Sequence, residues 1–125
     1  MIAHLETRHL PALKRFFEDV DKDWNQGFTF NPRLTLVYEK DGEILAFITA
    51  WDCGQPYAWI DNFLVREDID PRIPLHLGQT MLELLKFCGV STVRGVISNP
   101  KLEAALLKLG WTVKGTYTIM ETTNG

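Results

Sequence analysis

The sequence predicts an α/β domain with a mixed, mostly antiparallel central sheet flanked by helices, its elements running β-α-α-β-β-β-α-β-α-β. Three observations carry that prediction. Between Leu34 and Val65 three β-rich apolar runs follow one another, separated only by the turn signals Asp41-Gly42 and Cys53-Gly54-Gln55-Pro56. Before and after them, apolar residues recur at three- and four-residue intervals, as on one face of a helix. Finally, 125 residues leave room for a single core, so residues 1–125 are read as one domain.

Taken in order, Ile2 to Leu5 alternates weakly and reads as a short strand. Leu10, Leu13, Phe16, Phe17 and Val20 then form one apolar helix face, with Pro11 in the first turn, where its missing N–H is tolerated. The charges of Glu18 to Asp23 read as a solvated face. They lead through Trp24, Gly27 and Pro32 into a short second helix plus a loop. Leu34 to Tyr38, Ile44 to Trp51 and Tyr57 to Val65 make a three-strand meander, the first pair joined by a tight turn at Asp41-Gly42. A charged loop from Arg66 to Arg72 precedes a helix over Leu75 to Cys88, which stops at Gly89. Val90 to Ile97 reads as a strand. Asn99 caps a helix with Pro100 at its first position, running to Gly110, and Trp111 to Thr122 closes as one long strand.

Composition narrows the function classes. Hydrophobic residues are 46% and charged residues 23% of the chain, the balance of a folded globular domain. Thirteen Lys plus Arg against sixteen Asp plus Glu give a net charge of −3, so there is no basic footprint for nucleic acid. Met1 to Glu6 lacks the basic and apolar regions of a leader, and no stretch approaches a membrane span. A cytoplasmic location with no membrane partner is the expectation. Cys53 and Cys88 read as small buried hydrophobes, and His4, His9 and His76 are too scattered for a metal site. No nucleophile elbow, Walker loop or dinucleotide fingerprint occurs. The four tryptophans read as packing residues, except that Trp24 is placed to line an acceptor pocket.

The order of elements and three segments resemble the GNAT superfamily of acetyl-CoA-dependent N-acetyltransferases over essentially the whole chain. Ile60-Asp61-Asn62-Phe63-Leu64-Val65 resembles the family's fourth strand, and Gly78-Gln79-Thr80-Met81-Leu82 the start of the helix after it. Asn99 through Ala105 to Leu109-Gly110-Trp111 resembles the closing pattern, and Gly115-Thr116-Tyr117 with Met120-Glu121 the last strand. The resemblance implies acetyl-CoA as co-substrate, without a metal, and an amine acceptor, either a small molecule or a protein amine. It implies a sheet splayed between the strand ending at Val65 and the strand starting at Val90. It also implies cofactor contacts from Phe63, Leu64, Val65, Arg72, His76, Leu77, Gly78, Gln79 and Asn99. The family's phosphate loop has the form R/Q-x-x-G-x-G/A, whereas here Ile73-Pro74-Leu75-His76-Leu77-Gly78 keeps only the last glycine. Two readings of that segment stand. Either Arg72, His76 and the backbone amides from His76 to Gln79 still cradle a pyrophosphate at a helix start, or Gly78 is kept for packing alone.

Three chemical roles follow. An alkylamine with a pKa near 10.4 is protonated at neutral pH and must lose a proton before it attacks a thioester, and Asp61 is the candidate base. Backbone N–H groups near Phe63 to Val65 become oxyanion donors if a bulge splays the strand. The tyrosine that serves as acid in relatives is replaced by Leu106, which leaves Tyr117 as the substitute. These losses also fit a second class of function, a binding or structural module that has lost catalysis. The scaffold uses nearly the whole chain, leaving Val20 to Arg33 and the sheet-edge turns for acceptor recognition, and an exposed closing strand suits pairing with a second copy. If Asp61 is the base, Asp61→Asn lowers turnover while acetyl-CoA affinity stays nearly intact; equal loss of both would exclude it.

Overall fold

A computed structural model describes residues 1–20, 31–52, 56–96, 100–113 and 119–123. Strands β1 (Ile2–His4), β2 (Thr35–Lys40), β3 (Glu43–Asp52), β4 (Tyr57–Val65), β5 (Thr92–Val96), β6 (Thr112–Val113) and β7 (Ile119–Thr123) form one seven-stranded sheet ordered β1-β2-β3-β4-β5-β7-β6. Only β4 and β5 run parallel. The other neighbours are antiparallel, so the sheet is mixed and mostly antiparallel, as the sequence predicts. The helices are α1 (Leu10–Val20), α2 (Arg72–Phe87), which joins the two parallel strands, and α3 (Pro100–Lys108).

Strand β3 shows why the fold has two apolar layers. Phe47 faces Leu13, Phe16 and Phe17 of α1, while Ala46, Ile48 and Ala50 face Leu77, Met81 and Leu85 of α2 together with Leu102 and Leu106 of α3. A strand covered on both faces needs apolar residues at consecutive positions, which the run from Ile44 to Ala50 supplies. On the α1 side the three phenylalanines meet edge-on or tilted, with centroids 5.7 Å (Phe16 to Phe17), 5.2 Å (Phe17 to Phe47) and 6.5 Å (Phe16 to Phe47) apart.

Helices α2 and α3 end alike. Val90 N–H donates to the Leu85 carbonyl and Gly89 N–H to Lys86; Trp111 and Gly110 repeat the pattern on Leu106 and Leu107. Gly89 and Gly110 have φ of 87° and 90°, the left-handed conformation this termination requires. The residue after each glycine, Val90 or Trp111, is then turned into the core, at 2% and 4% exposure.

Three boundaries differ from expectation. Helix α2 begins at Arg72 rather than Leu75, because a proline is accepted in a first helical turn and Asp70 caps the new start. The closing segment is two strands, since Thr112 and Val113 of β6 pair antiparallel with Glu121 and Met120 of β7. Strand β7 therefore lies inside the sheet, and the outer edge is only β6, two residues long, in place of the long edge expected for pairing of copies. Two 3-10 turns precede β2 among the described residues, Thr7–His9 leading into α1 and Pro32–Leu34 leading into β2 itself. The expected second helix, Trp24, the turn at Cys53, the Asn99 cap and Tyr117 lie outside the described residues.

Phe47 is fully buried between β3 and α1. Phe47→Ala is expected to destabilise the domain by about 3–5 kcal/mol, read as a fall in the urea midpoint at unchanged slope.

Candidate active site

The site is built on β4. Across β3 the register steps from Ala50 opposite Ile60 to Thr49 opposite Asn62, so Asp61 is an extra residue, a β-bulge. On the other side β5 pairs with Tyr57, Ala58, Trp59 and Ile60 and no further, the last pair being Ile60 with Gly95. From Asp61 onward β4 has one neighbour instead of two among the described residues. Because β-strand backbone groups point alternately to either side, half of those between Asn62 and Val65 are directed into the wedge that β5 vacates.

The far end of β4 is pinned. Arg66 N–H donates to Leu45 O at 2.9 Å and its Nε to Ile44 O at 2.8 Å. Leu45 is the extra residue of a second bulge, since Tyr38 faces Ala46 while Glu39 faces Ile44. The same guanidinium pairs with Asp19 on α1 at 2.6 Å and lies 5.5 Å from the centroid of the Phe16 ring. One side chain thus ties β3, the end of β4 and the last turn of α1 together.

The start of α2 is occupied by the chain itself. Asp70 Oδ1 accepts from Arg72 N–H at 3.0 Å, Asp70 O accepts from Ile73 N–H at 2.9 Å, and Pro74 has no N–H to offer. The Arg72 guanidinium also returns to the Asp70 carboxylate, its closest contact 2.7 Å. The Arg72 side chain, and then its N–H, hold the Asp70 carboxyl down at about 2, from an ordinary 3.8. Around this pair a cleft of about 400 Å³ is lined by Tyr38, Asp70, Arg72, Ile73 and His76.

The open face of the sheet beside Asp61 is aromatic. Tyr57 and Trp59 alternate with buried Ala58 and Ile60, so they point away from the α2 and α3 layer. Trp59 stands opposite Trp51 on β3 and beside Arg94 on β5. The indole N–H of Trp51 donates to Asp61 Oδ2 at 3.2 Å, and the Arg94 guanidinium sits 5.6 Å from the Tyr57 ring centroid.

The structure separates residues that strand alternation would have put together. Alternation places Asp61, Phe63 and Val65 on one face, but the bulge turns the Asp61 carboxylate toward Trp51, on the α1 side, while Phe63 and Val65 pack with the α2 layer. Leu64 packs with the α1 layer. With α2 starting at Arg72, His76, Leu77, Gly78 and Gln79 fall in its second turn, where backbone N–H groups bond within the helix and are not open to a ligand. Leu77 and Gly78 are buried, and a Cβ on Gly78 would come within 3.3 Å of Phe63, so this glycine lets α2 lie against β4. Only Arg72 and His76 of that group reach the cleft. Asp70, Trp51 and Trp59 were not singled out from the sequence for this site. A parity shift in the apolar pattern, from Ala58 and Ile60 to Phe63 and Val65, is the signal that marks the bulge and with it the Trp51 contact.

A further cleft, about 620 Å³, lies at the other end of α2, between Leu84, Phe87 and Cys88 on one side and Arg33 and Leu34 on the other. Among the described residues no three His, Cys, Asp or Glu side chains group as metal ligands, and no helix is long and apolar enough to cross a membrane.

No protein-family model and no curated protein matches the sequence. Solved structures do. Ard1 from Thermoplasma volcanium superposes with a TM-score of 0.82 at 17% identity, covering 98% of this chain and 96% of that one. The PaiA N-acetyltransferase from Thermoplasma acidophilum, in complex with coenzyme A, gives 0.79 at 17% identity over 98% of both chains. YncA from Salmonella typhimurium, a putative acetyltransferase with its cofactor acetyl-CoA, gives 0.75 at 14% identity over 100% of this chain and 94% of its own. The chain therefore has the GNAT acetyltransferase fold along its whole length.

Because the Asp70 pKa is lower in the folded chain than its ordinary value, the charged form stabilises the α2 cap. That contribution is complete at neutral pH and is lost as the pH falls from about 4 to about 2. Amide exchange at Arg72 and Ile73 is expected to accelerate over that window, after correction for intrinsic rates, and Asp70→Ala to abolish the pH dependence.

Proposed function

We propose that this chain is an N-acyltransferase that moves an acetyl or related acyl group from a coenzyme A thioester to an amine. The observation that carries the reading is the bulged strand β4, released by β5 beyond Ile60, with the Asp61 carboxylate at the point of release. In this reading the pantetheine arm lies along the free edge of Phe63, Leu64 and Val65, whose wedge-facing N–H groups donate to it and to the oxyanion that develops on the thioester carbonyl. Asp61 takes the proton from the acceptor ammonium; the amine nitrogen bonds to the carbonyl carbon, the carbon–sulfur bond breaks, the departing thiolate takes a proton from Tyr117 or from water, and the second proton that the nitrogen sheds restores that acid. A thiol pKa near 8.5 makes the sulfur a tolerable leaving group even without a dedicated acid.

The phosphates fall to side chains in this reading. Arg72 and His76 line the cleft at the start of α2, and Asn99, outside the described residues, completes the proposed cofactor contacts. Gly78 contributes through the close approach of α2 to β4, and Leu77 and Gln79 by holding that turn. Small amines and protein amines both fit as acceptors, and a cytoplasmic location is compatible with a CoA thioester donor. The GNAT structures of similar shape that hold coenzyme A or acetyl-CoA support the donor.

A second reading is favoured by Asp70. The Asp70 carboxylate already takes the Arg72 N–H and the Asp70 carbonyl the Ile73 N–H, two donors that a phosphate would use, and Pro74 removes another. That arrangement suits a module that keeps the fold for binding and has lost acyl transfer.

Acetyl-CoA separates the two. At a hundredfold excess over its dissociation constant, a ligand that binds only the native state adds about 2.7 kcal/mol, roughly 10 °C in melting temperature for a domain of this size. A rise of that order is expected. An unchanged melting temperature at millimolar acetyl-CoA would remove the transferase reading and leave the binding module.

A further inference from the structure

Trp59 is 37% exposed on the middle of the sheet. Its cross-strand neighbour Trp51 donates its indole N–H to Asp61 Oδ2, which orients the carboxylate. No ion pair neutralises Asp61 among the described residues, in contrast to Asp19, Glu39, Glu43 and Asp70, each held by an arginine. An oriented carboxylate without an ion-pair partner, two residues along the strand from a partly exposed indole, combines the two features that recognise an organic cation, a negative charge and a π surface. The same face already seats one cation in this way, the Arg94 guanidinium over Tyr57. That pair occupies the Tyr57 side of Trp59, and Asp61 is on the other.

We infer that Trp59 and Asp61 form a subsite for an organic ammonium group, with Trp51 as the positioning residue for the carboxylate. The inference rests on the acyltransferase reading for its consequence: the acceptor is an aliphatic amine that arrives protonated, of the alkylamine or lysine side-chain kind, and not a neutral arylamine. Asp61 attracts the cation and Trp59 carries its methylene groups.

The test uses choline, a quaternary cation, against its neutral isostere 3,3-dimethylbutan-1-ol, each titrated into the intact protein by calorimetry and by NMR of the indole N–H signals. Saturable choline binding is expected, displaced by n-butylamine and weaker by at least tenfold for the neutral isostere. Trp59→Leu and Asp61→Asn should each weaken choline about tenfold, the scale of a partly desolvated cation–π contact. Equal binding of the two probes, no saturable choline binding, or full affinity in Trp59→Leu would overturn the inference. The acetyl-CoA melting shift of the same preparation reports separately. Selective choline binding without that shift keeps the ammonium subsite and removes the transferase, whereas the shift without selective choline binding removes the subsite and keeps the transferase.

Discussion

The arrangement depends on where β4 loses its second neighbour. A central strand is normally paired on both sides, and backbone groups left unpaired inside a fold are costly unless something else bonds to them. Here the pairing with β5 stops at Ile60, while β3 stays in register with β4 through Val65. The bulge at Asp61 makes the divergence possible by adding length and twist to β4 at the point of parting. Everything around the wedge then serves to hold it open. Gly78 allows α2 to press on Phe63 from one face, and Arg66 ties the end of the strand to β3 and α1 on the other. The open geometry is therefore a property of the scaffold, present before any ligand arrives.

Charge is distributed unevenly around that wedge. At the start of α2, the positive end of the helix is met by the chain's own Asp70, so the attraction a helix start holds for anions is largely satisfied internally. On the sheet face beside Trp59, Asp61 is oriented by an indole N–H and has no ion-pair partner among the described residues. One carboxylate accepts from the first N–H of a helix and the other from an indole, and a net charge of −3 spread over 125 residues gives no hint of either.

Much of this was legible in the residues. The period of α1, the Asp41-Gly42 hairpin and the Gly89 stop each follow from local chemistry, and each appears where the pattern places it. The start of α2 was read three residues late because Pro71-Arg72-Ile73-Pro74 looks like loop, although a proline in the first turn is compatible with helix when a carboxylate two residues before Arg72 caps it. The division into β6 and β7 has no local signal, because Trp111 to Thr122 is β-rich at both ends. The wedge itself is non-local. It depends on β5 meeting β4 for only four residues, a distance in the fold that no window of sequence contains. Within the candidate site Asp61 was visible as a lone acid in an apolar strand, whereas Trp51 and Trp59 became neighbours only through the antiparallel register of β3 and β4.

The short outer strands have a further consequence, for solubility. An exposed sheet edge is a template on which another chain can add a strand, and long, flat edges are where aggregation begins. This sheet ends in β1, three residues long, and β6, two residues long. Its longest run of unmatched strand backbone among the described residues is instead internal, in the stretch of β4 past Ile60, flanked by α2 and by the Arg66 anchor. Among the described residues the unmatched backbone is thus flanked by packed elements within the sheet and is not offered along an outer edge to a foreign strand.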